Sequence, residues 1–160
     1  MGVGFMVMGL YESFVYSFLA TIAFAVLFQA PKRTMILSGV IGAIGWVVFV
    51  YLRQHLEYNS FHSNLFATLV LALNCELCAR VFKQPATVFL IPGIIPLVPG
   101  LGMYQGMKQI IEKSYEAGMN TLLTAGTDSA AIALGIMFTA SIFRVLKMSA
   151  NKKFGLTNWR

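Results

Sequence analysis

The chain has 160 residues, of which 58% are hydrophobic and 11% are charged, whereas roughly a quarter of a typical soluble domain is charged. This composition excludes an ordinary soluble domain and predicts an all-α integral membrane protein with a single transmembrane domain over residues 1–160. The net charge of +6 does not indicate nucleic-acid binding, because the basic residues lie in short loops between apolar runs. No cleavable signal peptide is predicted, since the first apolar run lacks a basic leader and contains Glu12.

Five apolar segments each approach the roughly 20 residues that a helix needs to cross a bilayer. Basic residues are concentrated in alternate loops and in the tail at 144–160, so the positive-inside rule predicts an N-terminus outside the cell and a C-terminus in the cytoplasm. The segments cover about residues 10–28, 34–52, 61–79, 86–107 and 118–143. The predicted cytoplasmic basic residues are Lys32, Arg33, Arg80, Lys83, Arg144, Lys147, Lys152, Lys153 and Arg160, against Arg53, Lys108 and Lys113 outside.

The fourth segment is interrupted by prolines and glycines. Proline removes a backbone donor and clashes with the preceding turn, so we expect no continuous helix here. Irregular backbone at membrane depth is tolerated only where it is buried in protein or lines a cavity, so the break indicates a permeation or substrate site. A kinked structural helix or a re-entrant loop is the alternative. The interrupting residues are Pro92, Gly93, Pro96, Pro99, Gly100, Gly102 and Gly106.

After the break in the fourth segment, a helix is predicted over residues 101–115. We expect it to leave the bilayer toward the outer interface. Its N-terminus at Gly100–Gly102 would present backbone N–H groups to the membrane, and a helix N-terminus favours an anion. An anionic group such as a carboxylate could bind there without a buried basic side chain. The predicted substrate-binding residues are Pro92, Gly93, Pro96, Pro99, Gly100, Gly102, Tyr104 and Gln105.

Asp128 is the acid placed deepest, about ten residues into the fifth segment and on its small, polar face. A charge at that depth costs at least about 2.5 kcal/mol, so Asp128 is a candidate carrier of a coupling proton. The alternative is an acid whose hydrogen bonds hold two helices together. Thr124 on the same face and Glu76 in the third segment are further pathway candidates. Glu76 also precedes Arg80 by four residues, a spacing that predicts a local salt bridge.

Cys75 and Cys78 form a C-x-x-C pair, which could be a redox pair or half of a metal site. A structural zinc site needs four ligands, and no second ligand pair lies near, so we interpret both as small apolar thiols. The sequence has no nucleophile elbow, phosphate-binding loop or metalloprotease signature. We therefore expect no enzymatic activity, no metal and no cofactor.

The chain has no duplicated half, although transporters are commonly built from paired repeats with the site between them. Five spans therefore suggest one half of a transporter, which works with a second copy or a different five-span subunit. The second segment carries a face of small residues suited to close helix packing. These residues are Ser38, Gly39, Gly42, Ala43 and Gly45.

The run IPGIIPLVPG, followed by Gly102, Tyr104, Gly106 and Met107, resembles the signature of the threonine/serine exporter (ThrE) family. The chain is similar to the small five-span subunit that corresponds to the C-terminal half of the full-length exporter. This resemblance implies export of small hydrophilic metabolites across the bacterial inner membrane, threonine and serine in fused proteins and dicarboxylates such as succinate in a split version. It also implies a separately encoded, larger five-span membrane subunit as partner.

Two other functions stay open from the residues. The chain could be a non-transporting scaffold or accessory subunit in the lipid bilayer, which would need packing faces but no acids along a pathway. It could also be an intramembrane enzyme that uses Asp128, Glu76 or a cysteine, although no segment carries a paired catalytic acid and base.

Overall fold

The computed structural model describes residues 9–153, with side chains described to residue 146. This part of the chain is helical and contains no strand, as predicted. Four helices are long and apolar enough to cross a membrane, and a fifth candidate span is a helix pair bent by 43°. The helices are α1 (Leu10–Leu27), α2 (Lys32–His55), α3 (Ser60–Phe82), α4 (Thr87–Ile94), α5 (Gly100–Ile111) and α6 (Tyr115–Lys153), and a 3₁₀ turn at Ile95–Leu97 extends α4.

The α2 helix lies between α1 and α3, with its small residues at both contacts. A Cβ added to Gly39 would lie 2.8 Å from Cγ1 of Ile22 in α1. A Cβ added to Gly45 would lie 2.7 Å from Cδ1 of Leu71 in α3. The small-residue face therefore lets α2 approach two neighbouring helices of its own chain closely.

The α4 helix packs across α2 and α3, and the fourth segment is interrupted as predicted, although not at its first proline. The helix runs through Pro92 to Ile94 instead of breaking there. Proline removes one helical hydrogen bond, but Pro92 is buried, and Gly93 packs beside Gly42 of α2. Membrane helices tolerate such a proline where neighbouring helices support the backbone. The interruption comes later, at Val98, which is extended with φ −64° and ψ 128°.

The α3 and α6 helices run side by side in the same direction. Ser60, the first residue of α3, contacts Asp128, and farther along Arg80 contacts Phe143. Between these points, Gly135 of α6 packs against Thr68 of α3. The chain between α3 and α6 therefore returns from the Arg80 end of the bundle to the Ser60 end. Whether this path crosses the membrane stays a prediction.

The α5 helix runs antiparallel to the first half of α6. A Cβ added to Gly118 would lie 2.8 Å from the carbonyl oxygen of Gly106, and one added to Gly106 would lie 2.7 Å from Cγ of Leu122. The part of α6 before Asp128 is about 20 Å long at the usual helical rise. Because Asp128 contacts the first residue of α3, this α5–α6 hairpin projects beyond that end of α3.

Basic residues collect at the opposite end of the bundle, where α3 ends. Arg80 and Arg144 line one cavity there. The loop that precedes Lys32 lines a second cavity together with Thr87 and Val88 of α4, at the same end. Arg53 lies at the other end and donates to the carbonyl of Tyr58 over 3.4 Å. The charge asymmetry is therefore present in the fold, while its assignment to the cytoplasm stays a prediction. The last seven residues of the predicted tail lie outside the described part, and 144–153 continue α6.

Candidate functional site

The break in the fourth segment and Asp128 lie at the same level of the bundle. A Cβ added to Gly102 of α5 would lie 3.4 Å from Cβ of Ala125 in α6. Since the two helices are antiparallel, residues before Gly102 are level with residues after Ala125. Pro99 therefore lies about level with Asp128, so the fold unites two features that the sequence predicted separately.

The Asp128 carboxylate is buried, with 7% of the residue exposed. Its Oδ2 accepts a hydrogen bond of 2.6 Å from Oγ of Ser60. Ser60 begins α3, and the positive end of a helix favours a nearby carboxylate. Asp128 therefore lies level with the first residue of α3. Its position about ten residues into the fifth segment had suggested a deeper place in the bundle.

The second oxygen of this carboxylate, Oδ1, is buried and has no hydrogen-bond partner among the described residues. An unsatisfied buried polar atom costs about 1–3 kcal/mol, and more when it is charged. The described residues therefore satisfy only one of the two carboxylate oxygens of Asp128.

Other buried oxygens without described partners continue from Asp128 along the α3–α6 contact. Asn64 follows Ser60 by one helical turn, and Thr68 follows Asn64 by another, so these residues share one face of α3. Thr68 packs against Gly135 of α6, and Thr139 lies one turn farther along α6. The unpartnered atoms on these faces are Oδ1 of Asn64 and the hydroxyls of Thr68 and Thr139.

The polar face of α3 was not among the sequence predictions. A signal was present, because Ser60, Asn64 and Thr68 recur at four-residue spacing within an apolar helix. The face became recognisable only when α3 was seen to pack on the face of α6 that carries Asp128.

Several predicted site residues do not join this site. Thr124 is exposed, and its hydroxyl donates to the carbonyl of Asn120 over 2.9 Å. Tyr104 is 66% exposed. Pro92 and Gly93 lie in the core against α2, more than one helical turn before the break. Pro92 and Gly93 therefore pack in the core, because the α4 helix continues through them. Thr124 and Tyr104 face outward, and Thr124 is not on the face of α6 that contacts α5.

The start of α5 remains accessible. A Cβ added to Gly100 would meet no atom within 4 Å, so the backbone there is open to approach. No side chain caps the helix; the N–H of Met103 donates to the carbonyl of Pro99 over 3.1 Å. Gln105 is half-buried one turn farther, and Pro96 is half-buried in the 3₁₀ turn. The break thus presents an uncapped helix N-terminus beside the α6 helix.

Glu76 lies at the other end of α3, about 24 Å along the helix from Ser60, so it does not act together with Asp128. The predicted salt bridge with Arg80 is wrong. The guanidinium of Arg80 lies 4.7 Å from the ring centroid of Phe143, a cation–π contact. Among residues 9–146, the one ion pair joins Lys108 and Glu112 over 3.7 Å on the surface of α5.

Cys75 and Cys78 are both free thiols on α3. Cys75 is buried in the apolar core with Leu71, and Cys78 packs against the same core. These surroundings agree with the interpretation of both residues as small apolar side chains.

The chain was compared with known protein families and solved structures. No solved structure matches it. A family model described as "Threonine/Serine exporter, ThrE" matches residues 13–142, which include every helix that packs around Asp128 and the break. Together with its apolar helices, this match makes the chain a multi-pass membrane protein with an exporter-type transport function. The chain belongs to the threonine/serine exporter (ThrE) family.

Proposed function

We propose that this chain is one subunit of a secondary exporter that moves small carboxylate-bearing metabolites, a dicarboxylate such as succinate or an amino acid such as threonine, out of a bacterial cell. It would lie in the inner membrane with a periplasmic N-terminus and a cytoplasmic C-terminus. Export would be coupled to protons, and the chain itself would catalyse no chemical reaction.

The observation that carries this proposal is the half-satisfied carboxylate of Asp128 beside the break. A substrate carboxylate at the uncapped start of α5 would lie near Asp128. Two like charges in a low-dielectric site repel each other strongly. A proton on Asp128 removes that repulsion, so substrate and proton would occupy the site together.

Ser60 contributes to this coupling by holding one oxygen of Asp128. Its hydroxyl fixes Oδ2 at 2.6 Å, which leaves Oδ1 as the atom that exchanges a proton. The buried oxygens of Asn64, Thr68 and Thr139 extend from this point toward the other end of α3. If α3 and α6 move apart during transport, these oxygens would guide a proton or a hydrated solute between the two helices.

The chain would work with a larger five-span membrane subunit that matches the N-terminal half of the exporter family. In this chain α6 contacts α3 and α5 while large apolar side chains on its other faces stay exposed. Such faces contact lipid or another membrane helix. The polar residues on α3 and α6 would form one wall of a pathway, and a second subunit beside α6 would form the other.

The test is export in a bacterial strain that lacks both subunits. Expression of this chain alone should give no export of succinate or threonine, and co-expression with its partner should restore it. Membrane abundance of the chain is measured in both strains, so that loss of export is not loss of protein. Full export by the purified chain alone as a monomer in liposomes would contradict the proposal.

A further inference from the structure

An open cavity lies at the end of the bundle opposite Asp128, between the end of α3, the loop before α4 and α6. Its volume is about 760 Å³, within the roughly 300–1,000 Å³ typical of small-molecule sites. We propose that this cavity is an oxyanion site in which Arg80 and Arg144 bind a carboxylate or phosphate group. For a carboxylate solute the inference rests on the proposed function, because the cavity would collect substrate on the cytoplasmic side.

The charges of the cavity support an anionic ligand. Two guanidinium groups and one carboxylate, that of Glu76, line it, so its walls carry an excess of positive charge. Neither arginine forms an ion pair with any side chain of the described residues. Two basic groups that line a cavity, outnumber its one carboxylate and form no ion pair with it are suited to an anion from outside the chain.

The geometry of the walls also suits an oxyanion. Arginine presents a planar fork of donors that matches a carboxylate or phosphate with two parallel hydrogen bonds. The ring of Phe143 lies against the Arg80 guanidinium at 4.7 Å and limits its orientations. Gln84 and Ser141 add a side-chain amide and a hydroxyl to the same walls.

Variants of Glu76 and of the arginines should change the affinity of the cavity for an anion in opposite directions. The carboxylate of Glu76 is half-buried in the same cavity and has no hydrogen-bond partner among the described residues. It must repel a dianion that the arginines attract. Removal of its charge should therefore strengthen binding of a dicarboxylate, whereas removal of an arginine charge should weaken it.

Two ligands share this chemistry: a soluble carboxylate from the cytosol and the phosphate of an anionic lipid headgroup. The experiment uses the complex of this chain with its partner subunit, purified in detergent and reconstituted in liposomes. The variants are Arg80→Gln, Arg144→Gln, their combination and Glu76→Gln. Lys83→Gln is the matched control, because Lys83 is a basic residue at the same end that does not line the cavity.

The first readout is thermal stabilisation of the complex by succinate, and the second is the half-saturating succinate concentration for transport from the arginine side. The double arginine variant should raise the half-saturating concentration about tenfold or more, since charge-assisted hydrogen bonds are lost. Glu76→Gln should lower it, and Lys83→Gln should leave it unchanged. The maximal rate at saturating succinate should change little.

The lipid arm compares thermal stabilisation by phosphatidylglycerol vesicles with that by phosphatidylcholine vesicles. If the double arginine variant loses only the phosphatidylglycerol effect, the oxyanion is a lipid headgroup. If neither succinate nor phosphatidylglycerol distinguishes the variant from the wild type, or if Lys83→Gln has the same effect, the cavity is not an oxyanion site. A wild-type complex that does not transport at all would contradict the proposed function instead, and the stabilisation readouts would still decide this inference.

Discussion

The two ends of the α3–α6 pair differ in burial and in charge. At the Ser60 end, the acid Asp128 is 7% exposed, and helices pack around it. At the Arg80 end, basic residues line an open cavity of about 760 Å³. One pair of parallel helices thus carries a closed acidic site at one end and an open basic site at the other.

This difference separates two tasks. An open cavity with unpaired arginines can exchange an anion with solution, because its groups stay hydrated when empty. A buried carboxylate with one unpaired oxygen keeps a free acceptor that a proton or a polar group of a ligand can occupy. We therefore interpret the basic end as a place where substrate collects and the acidic end as the place where its movement is coupled.

The largest effect is expected from separating the break from Asp128. Gly118→Val should abolish export, since a Cβ there would lie 2.8 Å from the carbonyl oxygen of Gly106 and push α5 away from α6. Overpacking of this kind costs about 1–3 kcal/mol, but the hairpin projects beyond α3, so the bundle should still fold. Export and membrane abundance are measured together.

The matched control for this variant is Gly126→Val, on the same helix. A Cβ at Gly126 meets no atom within 4 Å, so this variant should keep the α5–α6 contact and export normally. Equal loss of export in both variants at normal abundance would show that the register of α5 on α6 is not what matters.

A smaller effect is expected from Ser60→Ala, which removes the 2.6 Å hydrogen bond to Asp128 but keeps the acid. A hydrogen bond to a charged group contributes about 1.5–3 kcal/mol, so coupled export should fall about tenfold without being lost. Ser60→Thr, which retains a hydroxyl, should recover much of it. The measurement is the coupled export rate of each variant beside its membrane abundance.

Thr124→Ala should have the smallest effect and serves as the control for Ser60→Ala. Its hydroxyl bonds only to the carbonyl of Asn120, and the residue is exposed. Near-normal export would separate the two hydroxyls. A loss as large as that of Ser60→Ala would return Thr124 to the pathway and contradict the site described here.

The sequence predicted the helices well because their signal is local. Apolar runs of spanning length lie at 10–28, 34–52 and 61–79, and the observed helices differ from them by a few residues at each end. The place of the break was harder to predict. Proline chemistry alone marks Pro92 and Pro99 equally, and only packing against α2 decides that the helix passes through the first and stops before the second.

The site was predictable only in part, because some of its signals are local in the sequence and others depend on how the helices pack. Asp128 and the glycines at 100 and 102 were recognised because a charge and a helix break are conspicuous in an apolar chain. Their proximity depends on the antiparallel register of α5 and α6, which a single sequence does not contain. The choice of Phe143 over Glu76 as the neighbour of Arg80 likewise depends on the parallel contact between α3 and α6.

The central claim is that Asp128 couples proton movement to carboxylate movement at the break. The most direct measurement is proton flux driven by a succinate gradient in liposomes that contain the complex, compared between wild type and Asp128→Asn. We expect the variant to keep succinate exchange but to move no protons with it. The side-chain amide of asparagine does not bind and release protons near neutral pH. Normal coupled proton flux in Asp128→Asn at normal abundance would contradict the account.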